Sequence, residues 1–212
     1  MKSKDSQKFT EYYRKQNVTG GYDKQREGTE YRRRKRALEL KTFLQLLDKK
    51  EGEKVLELGC SSGFLTEHLG KVTAIDTSEK MLEIAHSKNS DAKCIEGDMF
   101  KIPFKANSFD KVVTMRVWNH LDEKDIRKAI KEAKRVLKPK GYLIFDAEEK
   151  LFFRRFIGFF YQKMFRTTGY KIYQYSFNEI KNILEKNEFK VERAIWYNHR
   201  IGRQIVLRNK LV

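Results

Sequence analysis

Five short runs of apolar, β-branched or aromatic residues recur through the middle of the chain, separated by segments of helical spacing. The runs are KVLELG (54–59), KVTAID (71–76), AKCIEGD (92–98), FDKVVTM (109–115) and GYLIFDA (141–147). Runs of this length and composition read as strands. Helical spacing covers 64–70, 78–88 and 122–138. In the second segment Ser78 stands as a cap ahead of Met81, Leu82 and Ala85. In the third, Ile126, Ala129, Ile130, Ala133 and Leu137 share one face, and Pro139 and Gly141 stop the helix. Strands that alternate with helices predict an α/β fold, a parallel sheet with helices on both faces. Such a sheet takes its ligands at the carboxyl ends of the strands, close to where the strand order reverses.

The first run ends in a loop at one of those positions. KVLELGCSSGF (54–64) carries Glu57, Gly59, Ser61 and Gly63. A dinucleotide fingerprint requires glycines at 59, 61 and 64, but Ser61 and Phe64 occupy two of these, and no P-loop Lys-Ser/Thr follows. Nicotinamide and ATP readings weaken accordingly. Asp76 closes the second strand, where a carboxylate can accept two hydrogen bonds from a ribose diol. Asp98 ends the third strand, placed to accept a bond from an adenine amino group. Each acid taken alone reads as a turn or cap residue. Three at successive strand ends mark a site.

Size and charge bound what surrounds that site. The 212 residues suffice for one large domain with a real core. With 46 Lys and Arg against 29 Asp and Glu, a net charge of +17 favours anionic partners: nucleic acid, acidic lipid or an anionic metabolite. Cys60 and Cys94 show neither metal-ligand nor disulfide spacing, which suits a reducing, cytoplasmic setting. The segment MKSKDSQKFTEYYRKQ lacks the apolar stretch of a secretory signal, and no run is long and apolar enough to span a membrane.

The stretches VLELGCSSGFLTEHL, VTAIDTSEKMLEIA, IEGDMFKIPFKANSFDKVVTMRVWNHL and AIKEAKRVLKPKGYLIF, taken in order, resemble the class I S-adenosylmethionine-dependent methyltransferases. Within that family they are most similar to the subgroup of ubiquinone/menaquinone-type and other small-molecule enzymes. The resemblance runs from Lys54 to Ala147 and resumes at YSFNEIKNILEKNEFKVERAIWYN, similar to the family's last helix and sixth strand. RQIVLRN then stands for an antiparallel seventh strand. The resemblance implies a Rossmann-like fold: a seven-stranded, mostly parallel sheet, helices on both faces and a cap insertion after the fifth strand. It divides the chain into an N-terminal helical cap segment (1–50), a cofactor-binding core (51–147), the cap insertion (148–175) and a closing part (176–212).

The cofactor so implied is S-adenosylmethionine, with S-adenosylhomocysteine as product. By the same resemblance Gly59, Cys60, Ser61 and Gly63 line the methionine moiety, and Glu57 holds the loop and the cofactor's amino group. Asp76 takes the ribose hydroxyls, Thr77 and Met81 flank the adenosine, and Asp98 with the Met99 backbone meets the adenine. Met115 and Arg116 face the methionine end or the acceptor, and Tyr22 closes over the cofactor. Ser61 departs from the family's usual glycine, a substitution that is costly if the backbone there is left-handed.

A sulfonium activates its own methyl group, so transfer needs chiefly alignment in a desolvated pocket. An acceptor with a proton to lose needs a base as well. His120 is the candidate by position, against a plain loop-packing role. His68, His86 and His199 read as surface or helix-face residues. Asp146 and Glu148 end the fifth strand near the acceptor, and Tyr12 and Tyr13 read as packing aromatics. The turn of adenine-N6 enzymes, the nucleophile of cytosine-C5 enzymes and the paired glutamates of protein-arginine enzymes are all missing from their places. Their absence lowers a macromolecular acceptor.

Two segments fall outside the core pattern. In 24–50, Leu38, Leu40, Phe43, Leu44 and Leu47 give a packed helix face behind the basic run Arg32 to Arg36. That run is a solvated helix end or an anion-binding patch. In 148–175, Phe152, Phe153, Phe156, Phe159, Phe160 and Phe165 interleave with Arg154, Arg155, Lys163 and Arg166. A connection this long needs a structure or purpose of its own. It reads as a cap packed on the core, or as an apolar acceptor pocket or interfacial helix with a basic rim. Stacking on single-stranded RNA is its third use. The expectation is a methyltransferase for a small, apolar or lipid-like acceptor, cytoplasmic, with a peripheral contact to anionic membrane. An RNA methyltransferase and a non-catalytic cofactor-binding regulator are the alternatives.

Overall fold

Val55–Leu58 is buried along its whole length, as a strand with neighbours on both sides and helices on both faces must be. The computed structural model describes residues 27–150, 173–199 and 202–212, together with Lys4, Gln7, Thr10 and Glu11. Helix α1 is Glu30–Leu47, followed by β1 (Val55–Leu58), β2 (Thr73–Asp76), α2 (Glu79–Lys88), β3 (Lys93–Glu96) and β4 (Phe109–Thr114). Then come α3 (Glu123–Val136), β5 (Leu137–Glu148), α4 (Phe177–Glu185), β6 (Phe189–His199) and β7 (Gly202–Leu211). The strands form one seven-stranded sheet in the order β3-β2-β1-β4-β5-β7-β6. β1 to β5 run parallel to their neighbours, and β7 lies antiparallel between β5 and β6. The order reverses between β1 and β4, which fixes where a ligand crevice opens.

Two apolar layers cover the sheet. On one face α3 and α4 bring Ile126, Ile130, Ala133, Ile180 and Leu184 down on Leu56, Val112, Leu143 and Phe145. Trp118, just beyond β4, stacks on Phe145 in this layer with ring centroids 3.7 Å apart. On the other face α1 packs Phe43, Leu46 and Leu47 against Val113, Ile144 and Val206, while α2 sets Leu82 and Ala85 on Ala74. Burial of each aliphatic or aromatic side chain contributes on the order of 1.5–3 kcal/mol.

Several sequence expectations need correction. The stretch 64–70 forms only a single 3₁₀ turn, Thr66–His68, because it lies between two left-handed glycines, Gly63 and Gly70, too short to nucleate a longer helix. Helix α3 stops at Val136, and Leu137 already pairs with Phe109 as the first residue of β5. Pro139 therefore sits inside the irregular stretch of β5, between the Phe109–Leu137 and Lys111–Tyr142 pairs. Ser78 holds the N-cap position of α2 without a side-chain capping bond. Leu38 is 44% exposed, whereas Arg36, Glu39 and Thr42 lie on the buried face of α1 with Phe43, Leu46 and Leu47. That face meets a polar cluster at its N-terminal half and apolar core only in its last turns.

The ends of the insertion are described although its middle is not. Glu149 and Tyr175 form an isolated parallel bridge, and the Tyr175 hydroxyl donates to the Leu121 carbonyl at 2.7 Å. The insertion's phenylalanines and its Arg154, Arg155, Lys163 and Arg166, like Tyr12, Tyr13 and Tyr22, lie outside the described residues. Among the described residues no helix is long and apolar enough to cross a membrane.

Candidate active site

At the carboxyl ends of β1, β2 and β3 the chain encloses a cavity bounded by Glu57, Gly59, Cys60, Ser61, Asp76, Thr77, Met81, Asp98 and Met99. Met115, Arg116, Val117 and Leu121 close it from the β4 side, and Thr10, Arg36, Ser62, Phe64, Leu65, Gly97 and Phe100 complete the wall. Most residues expected at a cofactor site thus meet in one place. Gly63 does not line the cavity, Tyr22 lies outside the described residues, and His120 is not among the lining residues.

Each wall follows from local chemistry. The Gly59 and Cys60 N–H groups both donate to the Ile75 carbonyl, at 2.8 and 3.1 Å, which folds the loop back over the end of β2. Gly59 has φ +69°, and a Cβ there would come within 2.9 Å of Val117 Cγ2. The glycine therefore lets the β4 loop press directly on the β1 loop. Gly63, at φ +78°, does different work: a Cβ would stand 2.6 Å from Ala85 Cα, so its bareness seats α2 against the loop. Ser61 adopts φ +51°, the left-handed conformation that an L residue holds at a cost.

Asp76 is the hinge of the arrangement. Its Oδ2 accepts the Ser61 N–H at 2.9 Å and its Oδ1 the Ser78 N–H at 3.0 Å. One carboxylate thereby ties the β1 loop to the start of α2 and faces the cavity. Asp98 accepts the Phe100 N–H at 3.0 Å, which turns the chain so that Met99 and Phe100 join the wall. Both acids do the turn-making that suits a lone strand-end carboxylate while converging on one cavity.

Glu57 lies under the loop, 2% exposed, and accepts the Thr66 hydroxyl at 2.7 Å. Burial pushes its carboxyl up to about 8 against the pull of that hydrogen bond, and the Asp76 charge adds to the rise. At neutral pH it is a protonated acid that can become an anion when a cation approaches. Burial also pushes the Cys60 thiol up, aided by the Glu57 and Asp76 charges, so Cys60 is a packing residue rather than a nucleophile.

Sequence reading missed Thr10, Arg36, Ser62, Phe64, Leu65, Gly97, Phe100, Val117 and Leu121. Arg36 reaches the cavity from α1 with its guanidinium 3.8 Å from the centroid of Phe64. Its signal was present, a cation on the helix face that also holds Phe43, but the basic run around it read as a solvated end. His120 closes the 3₁₀ turn Trp118–His120, its N–H donating to the Val117 carbonyl at 3.0 Å. Asp146 is 1% exposed beneath α1 and Glu148 ends β5 at the stem of the insertion.

Residues 56–145 match the family profile described as Methyltransferase domain. Demethylmenaquinone methyltransferase of Thermotoga maritima is 33% identical over 110 residues, which span 49% of this chain and 47% of that protein. The Staphylococcus aureus protein of the same name is 36% identical over 105 residues, 45% of this chain and 43% of that one. The chain spans about half the length of the curated relatives it matches. Magnesium protoporphyrin IX methyltransferase from Synechocystis, solved with bound S-adenosylmethionine, superposes with a TM-score of 0.73. That match covers 99% of this chain and 98% of the other at 18% identity, a likeness of fold. The sheet order, the cavity and these matches define a class I methyltransferase domain. Residues 56–145 carry the methyltransferase domain, and the chain as a whole shares the fold of the S-adenosylmethionine-dependent methyltransferases.

The residues present fit that cofactor. Two strand-end carboxylates for a ribose diol and an amino-purine, a loop bare at Gly59, and a buried acid beneath it meet in one cavity.

Proposed function

We propose that the chain transfers a methyl group from S-adenosylmethionine to a small, apolar or lipid-like acceptor, with a quinol-type ring as the leading candidate. The observation that carries the reading is the division of the cavity wall. Asp76 and Asp98 stand on the β2–β3 side, while Met115, Val117 and Leu121 stand on the β4 side next to the stem of the insertion. The names of the two demethylmenaquinone relatives support an acceptor of the quinol kind.

When bound, the cofactor supplies a methyl group already activated by its sulfonium. The chain's part is to bind, align and keep water out. Asp76 takes the ribose diol, Asp98 and Met99 the purine, and Glu57 the amino group beneath Gly59. The apolar β4 side and the insertion receive the acceptor. His120, one residue before Leu121, is the group assigned to take a proton from an acceptor that has one to lose. Turnover should survive His120→Ala if the acceptor arrives ionised.

The test is transfer of labelled methyl from S-adenosylmethionine into cell fractions incubated with the purified chain. Label in the organic-soluble, quinone-containing fraction is expected. Label confined to RNA would replace this reading with an RNA methyltransferase working through Arg32, Arg33 and Arg34, which are exposed on α1. Cofactor binding measured by calorimetry with no transfer to any fraction would leave a cofactor-binding regulator. Anionic vesicles that fail to retain the protein would remove the peripheral membrane contact alone.

A further inference from the structure

Helix α1 buries a carboxylate where a core helix would carry an aliphatic residue. Glu39 is fully buried, and a carboxylate taken from water must be paired to be tolerated. Its partner is the Arg116 guanidinium, with the Lys35 ammonium 3.5 Å away one turn earlier. Arg116 itself holds a left-handed backbone, φ +59°, directly after the cavity residue Met115. What keeps it there is Asp146 at the end of β5, whose Oδ1 accepts the Arg116 N–H at 2.6 Å. Asp146 is 1% exposed, and its Oδ2 has no hydrogen-bond partner among the described residues.

The groups around Asp146 come from every element packed on it. Helix α1 contributes Glu39, with Lys35 and Arg36 one turn before it, and the loop after β4 contributes Arg116. β6 contributes Tyr197, whose hydroxyl donates to Gln204 of β7 at 2.9 Å. Both side chains are buried, and burial with the Glu39 and Asp146 charges pushes the Tyr197 phenol up, so it stays neutral. Burial raises the Asp146 carboxyl to about 7, against the Arg116 N–H bond, and the Glu39 charge adds to the rise. Two carboxylates thus hold one arginine beside the cavity, Glu39 by its guanidinium and Asp146 by its backbone N–H.

We propose that Asp146 and Glu39 are positioning residues that clamp Arg116 from two sides and so shape the β4 wall of the cofactor cavity, and that the clamp is tighter when Asp146 carries its charge. Val117, next in the chain, is the residue that a Cβ on Gly59 would strike, so a shift of the Arg116 loop is felt at once by the loop that receives the cofactor. A hydrogen bond to an ionised acceptor is roughly twice as strong as one to a neutral acceptor, which gives an affinity change of about fivefold. The inference rests on the reading of the cavity as the cofactor site.

The experiment is calorimetric titration of the full chain with S-adenosylhomocysteine from pH 5.5 to 8. Wild type is expected to gain about fivefold in affinity across a midpoint near 7. Glu57 contributes a separate limb near 8 that every variant below retains. Asp146→Asn, which keeps the Oδ1 acceptor and cannot ionise, should lose the first limb and hold the low-pH affinity until the Glu57 limb begins. Glu39→Gln removes a neighbouring negative charge and releases Arg116 toward Asp146, so it should move the midpoint to lower pH. A purely structural role would not move a midpoint. An Asp146→Asn profile identical to wild type, or a Glu39→Gln midpoint that stays put, overturns the clamp while leaving the cofactor reading intact. Absence of binding at every pH overturns both.

Discussion

Asn119 accepts the Glu148 backbone N–H through its Oδ1 at 3.0 Å, and its own carbonyl accepts the Tyr173 N–H at 2.7 Å. One residue thereby pins both sides of the insertion's stem to the loop that carries Val117 and Leu121, holding Glu148 through its side chain and Tyr173 through its backbone carbonyl. Asn119 is 8% exposed, so losing its side chain leaves the Glu148 N–H without its partner, a cost of about 1–3 kcal/mol. Asn119→Ala should lower stability to urea by that amount and speed hydrogen exchange at the Glu148 amide. Affinity for S-adenosylhomocysteine should not change, because Asn119 does not line the cavity. Unaltered exchange at Glu148 would show that the stem is held by other contacts.

Ser61 offers the opposite case, a position where a natural residue works against its backbone. Its left-handed φ of +51° costs on the order of 1–2 kcal/mol. Replacing it by glycine relieves that strain and gives back about 0.5–1 kcal/mol through the freer unfolded chain. Ser61→Gly should therefore unfold at equal or higher urea concentration, and the Ser61 N–H bond to Asp76 should persist. A loss of stability would mean that the serine hydroxyl, 3.8 Å from the Met81 sulfur, carries more than a loose contact.

Gly63 tolerates nothing larger. Alanine there would combine φ +78° with a Cβ 2.6 Å from Ala85 Cα, a backbone atom with little freedom to yield. Gly63→Ala should cost about 2–4 kcal/mol, from left-handed strain plus overpacking. Thermal unfolding checks the size. A cost within 0.5 kcal/mol, as is usual for surface changes (roughly that range), would show that α2 slides easily.

Glu57 gives the stability a pH dependence with a defined sign. Its folded pKa of about 8 lies above the ordinary 4.5, so its contribution is complete below the ordinary value and is lost as pH rises towards 8. The free protein should weaken between about pH 5 and 8, with a slope of up to about 1.4 kcal/mol per unit from this residue. Asp146 adds a similar loss that ends near 7. Urea unfolding of Glu57→Gln at several pH values in this window should show a shallower decline than wild type. An identical slope would mean that Glu57 reaches solvent when the protein is free.

The order of the five parallel strands was legible because each reads as a short apolar run followed by helix spacing or a turn residue, and a parallel sheet requires that pattern. Asp76 and Asp98 were legible for the same reason, since the end of a strand is a definite place in such a sheet. Arg36 was hidden by its neighbours: four adjacent cations read as one solvated run, while the helix turns only Arg36 of the five inward. Leu38 misled in the reverse sense, an apolar residue on a helix whose buried stripe begins with polar groups. Where α3 gives way to β5 was unreadable, because Leu137 satisfies both the helix face and the strand that starts on it.

The bridge between Glu149 and Tyr175 brings the two ends of the insertion together at the rim of the core. Closing a loop grows dearer only with the logarithm of its length, about 0.6 kcal/mol for each doubling. Residues 151–172 can therefore be lengthened, shortened or exchanged wholesale while the sheet and the loops around Asp76 keep their geometry. On the proposed reading of this segment as the acceptor side, acceptor preference is then free to diverge between proteins that share this core, since exchanging it does not oblige the loops around Asp76 to be rebuilt.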